Sequence, residues 1–398
     1  MHHHPRTTGR LIGAGVLVAA LVTASSCAAG DTAQEPAPPV AAPSTTHGGG
    51  HGGQFSAPPA APLRPGERYE NLTMPTAYTP TAPGGGTDEY RCFLVDPKLT
   101  APAFLTGSQF LPQNADIVHH AIFFQVPPDA VDAARRADAK APGEGWTCFG
   151  NAGIGDAAWV AHWAPGANET LLQPDIGYPM PAGSRLVMQV HYNLLSTAGK
   201  AGSSDRSGVR LRLSDRAGLT PLRTATLPAP VELACAANES GALCDRPAAV
   251  QNVAQRFGEE AAAAVDGLNQ GCNAGRAPTA AAEQRCDHPM PAAGTIYATA
   301  GHMHLLGRSI KLELNPGRAD ARTLLDVPSY DFDQQALRPL AAPVTVKKGD
   351  VLRVTCTHDV TLRQQIPQLK PLAPRYVVWG EGTSDEMCLA LAVMSPTR

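Results

Sequence analysis

Five histidines and one methionine in this chain are spaced for metal chemistry. His119 and His120 are adjacent, and His191 follows in the run MQVHYN. His302 and His304 form an H-x-H, and Met387 stands beside Cys388 in EGTSDEMC near the end. Three imidazoles are a common copper or zinc set, whereas two imidazoles with a thioether are soft and favour copper. Taken together the six residues suggest two separate metal sites. Each has a plain alternative. Neighbouring strand residues point to opposite faces, so His119 and His120 reach one ion only if the strand twists or bulges, or if the ion sits at its edge. A lone methionine beside a C-terminal strand ordinarily fills the core. The i, i+2 pair His302 and His304 needs no distortion, because that spacing puts both rings on one strand face. Gly301 and Gly307, which flank the pair, permit close backbone approach.

The elements that must position these residues read as β-strands. DIVHHAIFFQV (116–126) and RLVMQVHYNLL (185–195) are β-rich, and GVRLRL (208–213) alternates strictly, as a half-buried strand does. TIYATAGHMHLLGRSIKLEL (295–314) reads as strand, Gly-containing bend and second strand, while 349–356 and 388–394 alternate again. The main helical candidate is 248–268, around FGEEAAAAVDGL. With 38 Gly and 37 Pro in 398 residues, turns are frequent, which suits an all-β protein. The expected fold is all-β, two β-sandwich domains meeting near residue 220, with a helical insertion. The expected boundaries are 67–222 and 223–398. A formal net charge of −3 gives no footprint for nucleic acid.

The N-terminus reads as an export signal over residues 1–27. Arg6 and Arg10 precede an apolar run, Leu11 to Val22, too short for the roughly 20 residues that span a bilayer. TASSC resembles a lipobox with Ala24 where Leu is usual, so Cys27 is expected to carry a lipid, ordinary cleavage nearby being the alternative. Residues 28–66, rich in Ala, Pro, Gly, Ser and Thr, read as a disordered tether. Its HGGGHGG, with His47 and His51, reads as a flexible spacer, the functional alternative being weak copper capture. Nine cysteines leave eight, an even number, once Cys27 is set aside, and an oxidising compartment would pair them. The protein is therefore expected in the cell envelope, tethered to the membrane through Cys27.

DIVHHAIFF, MQVHY, GHMHLLG and GTSDEMC, in that order, resemble the four ligand-bearing segments of the copper type II, ascorbate-dependent monooxygenases, the family of peptidylglycine α-hydroxylating monooxygenase and dopamine β-monooxygenase. The likeness runs over roughly residues 88–395. It implies two antiparallel, jelly-roll-like β-sandwich domains and two copper ions per chain. His119, His120 and His191 would form an electron-donating site. His302, His304 and Met387 would form the catalytic site for oxygen and substrate, facing the first across a solvent-filled cleft. It implies O2 and a small-molecule substrate as partners, with ascorbate or another one-electron reductant as co-substrate, and C–H hydroxylation as the reaction. It also implies a Cys356–Cys388 disulfide; Cys92–Cys148 is a further expected pair, and Cys235, Cys244, Cys272 and Cys286 are expected to pair among themselves. Asp116 and Gln189 are candidates for orienting the ligands. His162, His288 and His358 match no family ligand and are expected in surface or structural roles.

The pattern departs from the peptide-amidating members at their carboxylate clamp. An Arg two residues before H-x-H, and an Asn and a Tyr just after Met-Cys, are here Ala300, Leu389 and Leu391. Without a bidentate guanidinium, a substrate carboxylate has no partner. The expected substrate is therefore uncharged or apolar. A non-catalytic copper-binding or copper-storage lipoprotein is the alternative. A three-histidine zinc hydrolase would account for neither the H-x-H nor Met387.

Overall fold

The computed structural model describes residues 58–197, 199 and 202–396, and these fall in one compact unit. The export signal, Cys27, His47 and His51 lie outside the described residues. The chain is built from sheets that are antiparallel except where Thr220–Pro221 pairs parallel with Ile176–Gly177, and no described sheet takes strands from both sides of Leu222.

In the first half, a five-stranded sheet runs in the order Trp146–Thr147, Asp88–Val95, Arg185–Asn193, Val118–Val126, Ala158–Trp163. It packs on a second sheet built around Glu67–Thr73, Gly208–Ser214, Ala103–Leu111 and Ile176–Met180. The period of two decides which residues face inward. Phe93, Phe123 and Met188 meet Leu105, Val209 and Leu211 between the sheets. Cys92, Ile122, Phe124 and Val187 point the other way, where the helix Val131–Lys140 covers part of that face. His120 shares the parity of Ile122, and His191 that of Val187. Both therefore belong to this outer face, beyond the helix.

In the second half, one sheet orders Arg223–Pro228, Leu389–Pro396, Gly294–His302 and Arg338–Val346, and the other Glu283–Pro289, Val351–His358, Gly307–Leu314 and Arg322–Val327. Ile296, Ala390, Ala392 and Met394 pack against Ile310, Leu312, Leu352 and Val354. A register shift between Ile296 and Ala298 adds a residue to the H-x-H strand. Such a bulge reverses facing. Ile296 thus enters the second core, while Ala298, with Val393 beside it, packs into the first. Ala300 and His302 follow Ala298 toward the first half.

The expected helix at 248–268 is two helices, Arg246–Phe257 and Glu259–Cys272. They break at Gly258, whose φ of 89° a side chain would resist. Four disulfides form: Cys92–Cys148, Cys235–Cys244, Cys272–Cys286 and Cys356–Cys388. The expected tether extended to residue 66, but its last residues are docked. The fully buried Arg212 guanidinium donates to Ala61 O at 2.6 Å and Pro62 O at 3.0 Å, while Ala61 N donates to Glu169 at 2.7 Å. A composition rich in Ala and Pro hid this, because the anchoring groups are backbone carbonyls, which every residue carries.

Candidate metal centre

The adjacent histidines reach one point because the strand bulges. Val118 pairs with Tyr192 and His120 with His191, leaving His119 as the extra residue. Two residues then oppose one, and the side-chain alternation is reset locally. The ligating atoms of His119, His120 and His191 all lie within 4.8 Å of one another. Their ring centroids are 5.3, 5.3 and 4.6 Å apart.

Neighbours fix each ring. Tyr90 stacks flat on His191 at 4.1 Å, and Phe332 from the second half stacks on His119 at 4.1 Å. His191 Nε2 donates to Asp88 Oδ1 at 3.0 Å, which leaves Nδ1 as the free lone pair. Burial pushes the Asp88 carboxyl up, but bonds from His191, Thr383 and Thr87 outweigh it and hold the group below its usual value. Burial likewise drives His119 and His120 well below the ordinary imidazole value. It lowers His191 too, against the opposing pull of Asp88. All three are neutral at neutral pH, the form that coordinates metal.

In the second cluster, His302 ends its strand and His304 lies in the bend just after it, so the pair is not on one strand face as expected. The rings still sit 5.2 Å apart, nearly perpendicular. At Gly301 a Cβ would lie 2.7 Å from Ile310, so the close approach needs glycine there. Gln335 Oε1 meets His302 Nδ1 at 2.5 Å, and His304 Nδ1 donates to Asp385 O at 3.3 Å. Burial, with the neighbouring His304, brings His302 down to about 3.

Met387 is tied to this bend on both sides. The buried Glu386 carboxylate accepts from His304 N at 3.0 Å, Leu306 N at 2.6 Å and Met387 N at 3.1 Å. The Cys356–Cys388 bridge holds the next residue. Before it, Asp385 forms a bidentate pair with Arg256 at 2.8 and 2.6 Å. The Met387 side chain is 5% exposed, packs among Val253, Phe257 and Trp379, and lines one cavity with His120 and His302.

The two clusters do not face each other across a solvent-filled cleft. The rings of His120 and His302 meet edge to face at 5.5 Å. Contacts between the halves hold them there: Tyr90 OH donates to Glu381 O at 2.8 Å, Thr383 Oγ1 donates to Asp88, and Phe332 covers His119.

Beside this junction lies a cavity of about 190 Å³. Trp159, Trp163, Trp379 and Ile122 make much of its wall, and Ala300, Leu389 and Leu391 its floor. The floor residues share a face because Ala300 pairs with Leu391 and His302 with Leu389. Glu381 supplies a carboxyl to this apolar space, pushed up to about 7 by burial and by Asp385. His162, expected in a surface or structural role, lines the same cavity and is driven down to about 4 by burial. His288 bonds Pro228 O at 2.9 Å, and the buried His358 meets Glu386 at 3.4 Å.

Two expected orienting residues are corrected. Asp116 is exposed, and Gln189 donates to Asn151 O at 2.8 Å rather than to a histidine. Asp88 and Gln335 do that work. Neither is close in sequence to its histidine, and only strand pairing brings Asp88 beside His191.

The donor set fits a metal. His119 Nδ1 and Nε2, His120 Nε2, His191 Nδ1 and His304 Nε2 are buried without a hydrogen-bond partner. Buried polar atoms are otherwise almost always satisfied, so such a concentration of orphaned lone pairs marks a place for a cation. Neutral imidazoles with a nearby thioether suit copper.

An all-β chain with clustered neutral histidines at an apolar cavity has the ligand chemistry of a metal-binding protein. Residues 274–394, about three-tenths of the chain, match the family described as copper type II ascorbate-dependent monooxygenase, C-terminal domain. DBH-like monooxygenase protein 2 of Homo sapiens is 30% identical over 108 residues, which is 27% of this chain and 19% of the human protein. The matched stretch therefore spans about a fifth of that curated relative. Among solved structures, the major capsid protein P2 of bacteriophage PM2 aligns over 83% of this chain and 98% of its own, with 9% identity and a TM-score of 0.29. A Paenibacillus xanthan lyase aligns over 82% and 25%, with 10% identity and a TM-score of 0.19. Likenesses of that strength carry no argument.

Proposed function

We propose that this protein is a copper monooxygenase that hydroxylates a C–H bond of a small, largely apolar molecule. It would use O2 and an external one-electron reductant, ascorbate or another. His119, His120 and His191 would hold an electron-donating copper. His302, His304 and Met387 would hold the second copper, where oxygen and substrate meet. The observation that carries this reading is the concentration of buried, unpartnered nitrogens on His119, His120, His191 and His304, with His120 and His302 lining one apolar cavity, in a chain whose C-terminal part matches the family.

Bound copper supplies the one-electron chemistry that activates O2. The chain's own residues do the rest. Asp88 and Gln335 keep His191 and His302 turned to one tautomer and one orientation. Glu386 and the Cys356–Cys388 bridge set where Met387 can stand. Trp159, Trp163 and Trp379 exclude water from the reacting space. Ala300, Leu389 and Leu391 give it an apolar floor. Glu381, whose carboxyl burial and Asp385 push up to about 7, offers one polar contact at which a polar group of the substrate would be oriented.

We further place the protein outside the cytoplasm, lipid-anchored through Cys27. The N-terminal sequence pattern and the four disulfides support this. The test compares copper-loaded wild type with Met387→Ala, given ascorbate, O2 and an extract of apolar metabolites. Wild type is expected to bind two coppers and form a hydroxylated product. The variant should keep the copper of the His119 cluster and form none. Two bound coppers with no product would favour copper storage. Zinc at the His119 cluster, with copper absent, would sink the monooxygenase.

A further inference from the structure

Away from the histidines, a second group of buried polar atoms lacks partners. Arg363 sits in the short turn Val360–Gln364 and is 2% exposed. Its Nε, Nη1 and Nη2 are all buried without a hydrogen bond. It forms no ion pair within 4.0 Å among the described residues. Nearby, Arg375 reaches Asp385 at 3.3 Å and Asn252 at 3.4 Å through Nη1, yet its Nε is also buried and unpaired. The charge of Arg375 reaches Arg363 and opposes its own. The carboxylate that could compensate is already engaged, since Asp385 is paired bidentately with Arg256. Glu239, the other acid whose charge reaches Arg363, instead accepts from Ala236 N at 3.0 Å.

A guanidinium keeps its proton in proteins, so Arg363 does not escape by neutralising. Trapped water would satisfy its N–H groups but leave the charge uncompensated. We infer that Arg363 and Arg375 bind a small monovalent anion of halide size, chloride being the ordinary one, between the turn Val360–Gln364 and the Asp385 segment. The loop that closes the site is held by the Cys235–Cys244 bridge and by Asn238, which exchanges hydrogen bonds with Gln364 at 3.1 and 2.9 Å. All the donors lie on elements separate from the six candidate copper ligands. The inference therefore stands whether or not the proposed oxygenase reaction does.

Bromide is the probe. Crystals of the full chain grown in sodium bromide are expected to show an anomalous peak between the Arg363 and Arg375 guanidinium groups. In solution, bromide replacing gluconate at constant ionic strength should raise the melting temperature of wild type. Above saturation the folding equilibrium should shift by about tenfold per tenfold rise in bromide. Arg363→Met keeps the volume and removes the donors, and should abolish that response. Absence of an anomalous peak at the two arginines overturns the site, and so does an equal bromide response in Arg363→Met. If the variant does not fold, the anomalous map decides alone.

Discussion

Replacing Glu381 by Gln should alter how stability depends on pH, and in a direction opposite to most carboxyl substitutions. Burial in the cavity, with the charge of Asp385 near, moves this carboxyl from an ordinary 4.5 up to about 7. The folded chain then holds the proton where the unfolded chain has released it. Stability is full below about pH 4.5, falls as the pH rises, and reaches its complete penalty above about 7. At about 1.4 kcal/mol per unit, the difference amounts to about 3 kcal/mol, an order-of-magnitude figure. Gln keeps the shape and cannot ionise. The gap between variant and wild type should therefore widen by about 3 kcal/mol in the variant's favour between acid and mildly alkaline pH. The assay is denaturant unfolding of chelator-treated protein across that range, metal-free because a bound cation would itself pull the carboxyl down. A gap that stays flat with pH would refute the burial argument. A gap that narrows as pH rises would mean that a cation partner holds Glu381 ionised.

Three further outcomes follow from the site. Asp88→Asn weakens the acceptor that orients His191, and should cost about 10–100-fold in copper affinity at the His119 cluster by competitive chelator titration; unchanged affinity would remove Asp88 from that role. Breaking the Cys356–Cys388 bridge, which spans 32 residues, with Cys356→Ser and Cys388→Ser together should cost about 3–4 kcal/mol in denaturant unfolding. Glycine-extended peptides should not be hydroxylated, since Ala300, Leu389 and Leu391 leave a carboxylate unpaired in the cavity; turnover comparable to amidating enzymes would refute this.

The strands that carry the site could be read from the period-two pattern. The runs around 118–126, 185–193, 294–302 and 389–396 all form strands. The difficulty of adjacent histidines was also visible: His119 and His120 demanded a distortion, and the structure supplies a bulge. Its position was not legible, because a register shift depends on the partner strand and not on local composition. The same holds for Tyr297, where one extra residue sends Ala300 and His302 toward the first half. Glu381 stands first in the EGTSDEMC stretch that singled out Met387. Its elevated carboxyl nonetheless depends on burial in a cavity walled partly by Trp159 and Trp163 from distant segments, to which Asp385 of the same stretch adds its charge. His162 looked incidental for the same reason.

The close approach of the two clusters has a structural cause that runs through one carboxylate. Asp88 accepts from His191, a candidate ligand of the first cluster, and from Thr383, four residues before Met387. One buried group therefore orients a ring in the first half and anchors the segment that carries a candidate ligand in the second. The adjacent Tyr90 repeats the arrangement, stacking on His191 while donating to Glu381 O. Asp88 and Tyr90 are two residues apart on the strand Asp88–Val95 and so share one face, which fixes the first-half side of the link, while Glu381 and Thr383 meet them from the turn before Met387. Separating the clusters would require both hydrogen bonds and the Phe332 contact on His119 to break together. Each of these groups is buried, so the loss would leave unsatisfied polar atoms and an exposed ring at once. The edge-to-face contact of His120 and His302 is thus the arrangement that the packing of the two halves favours.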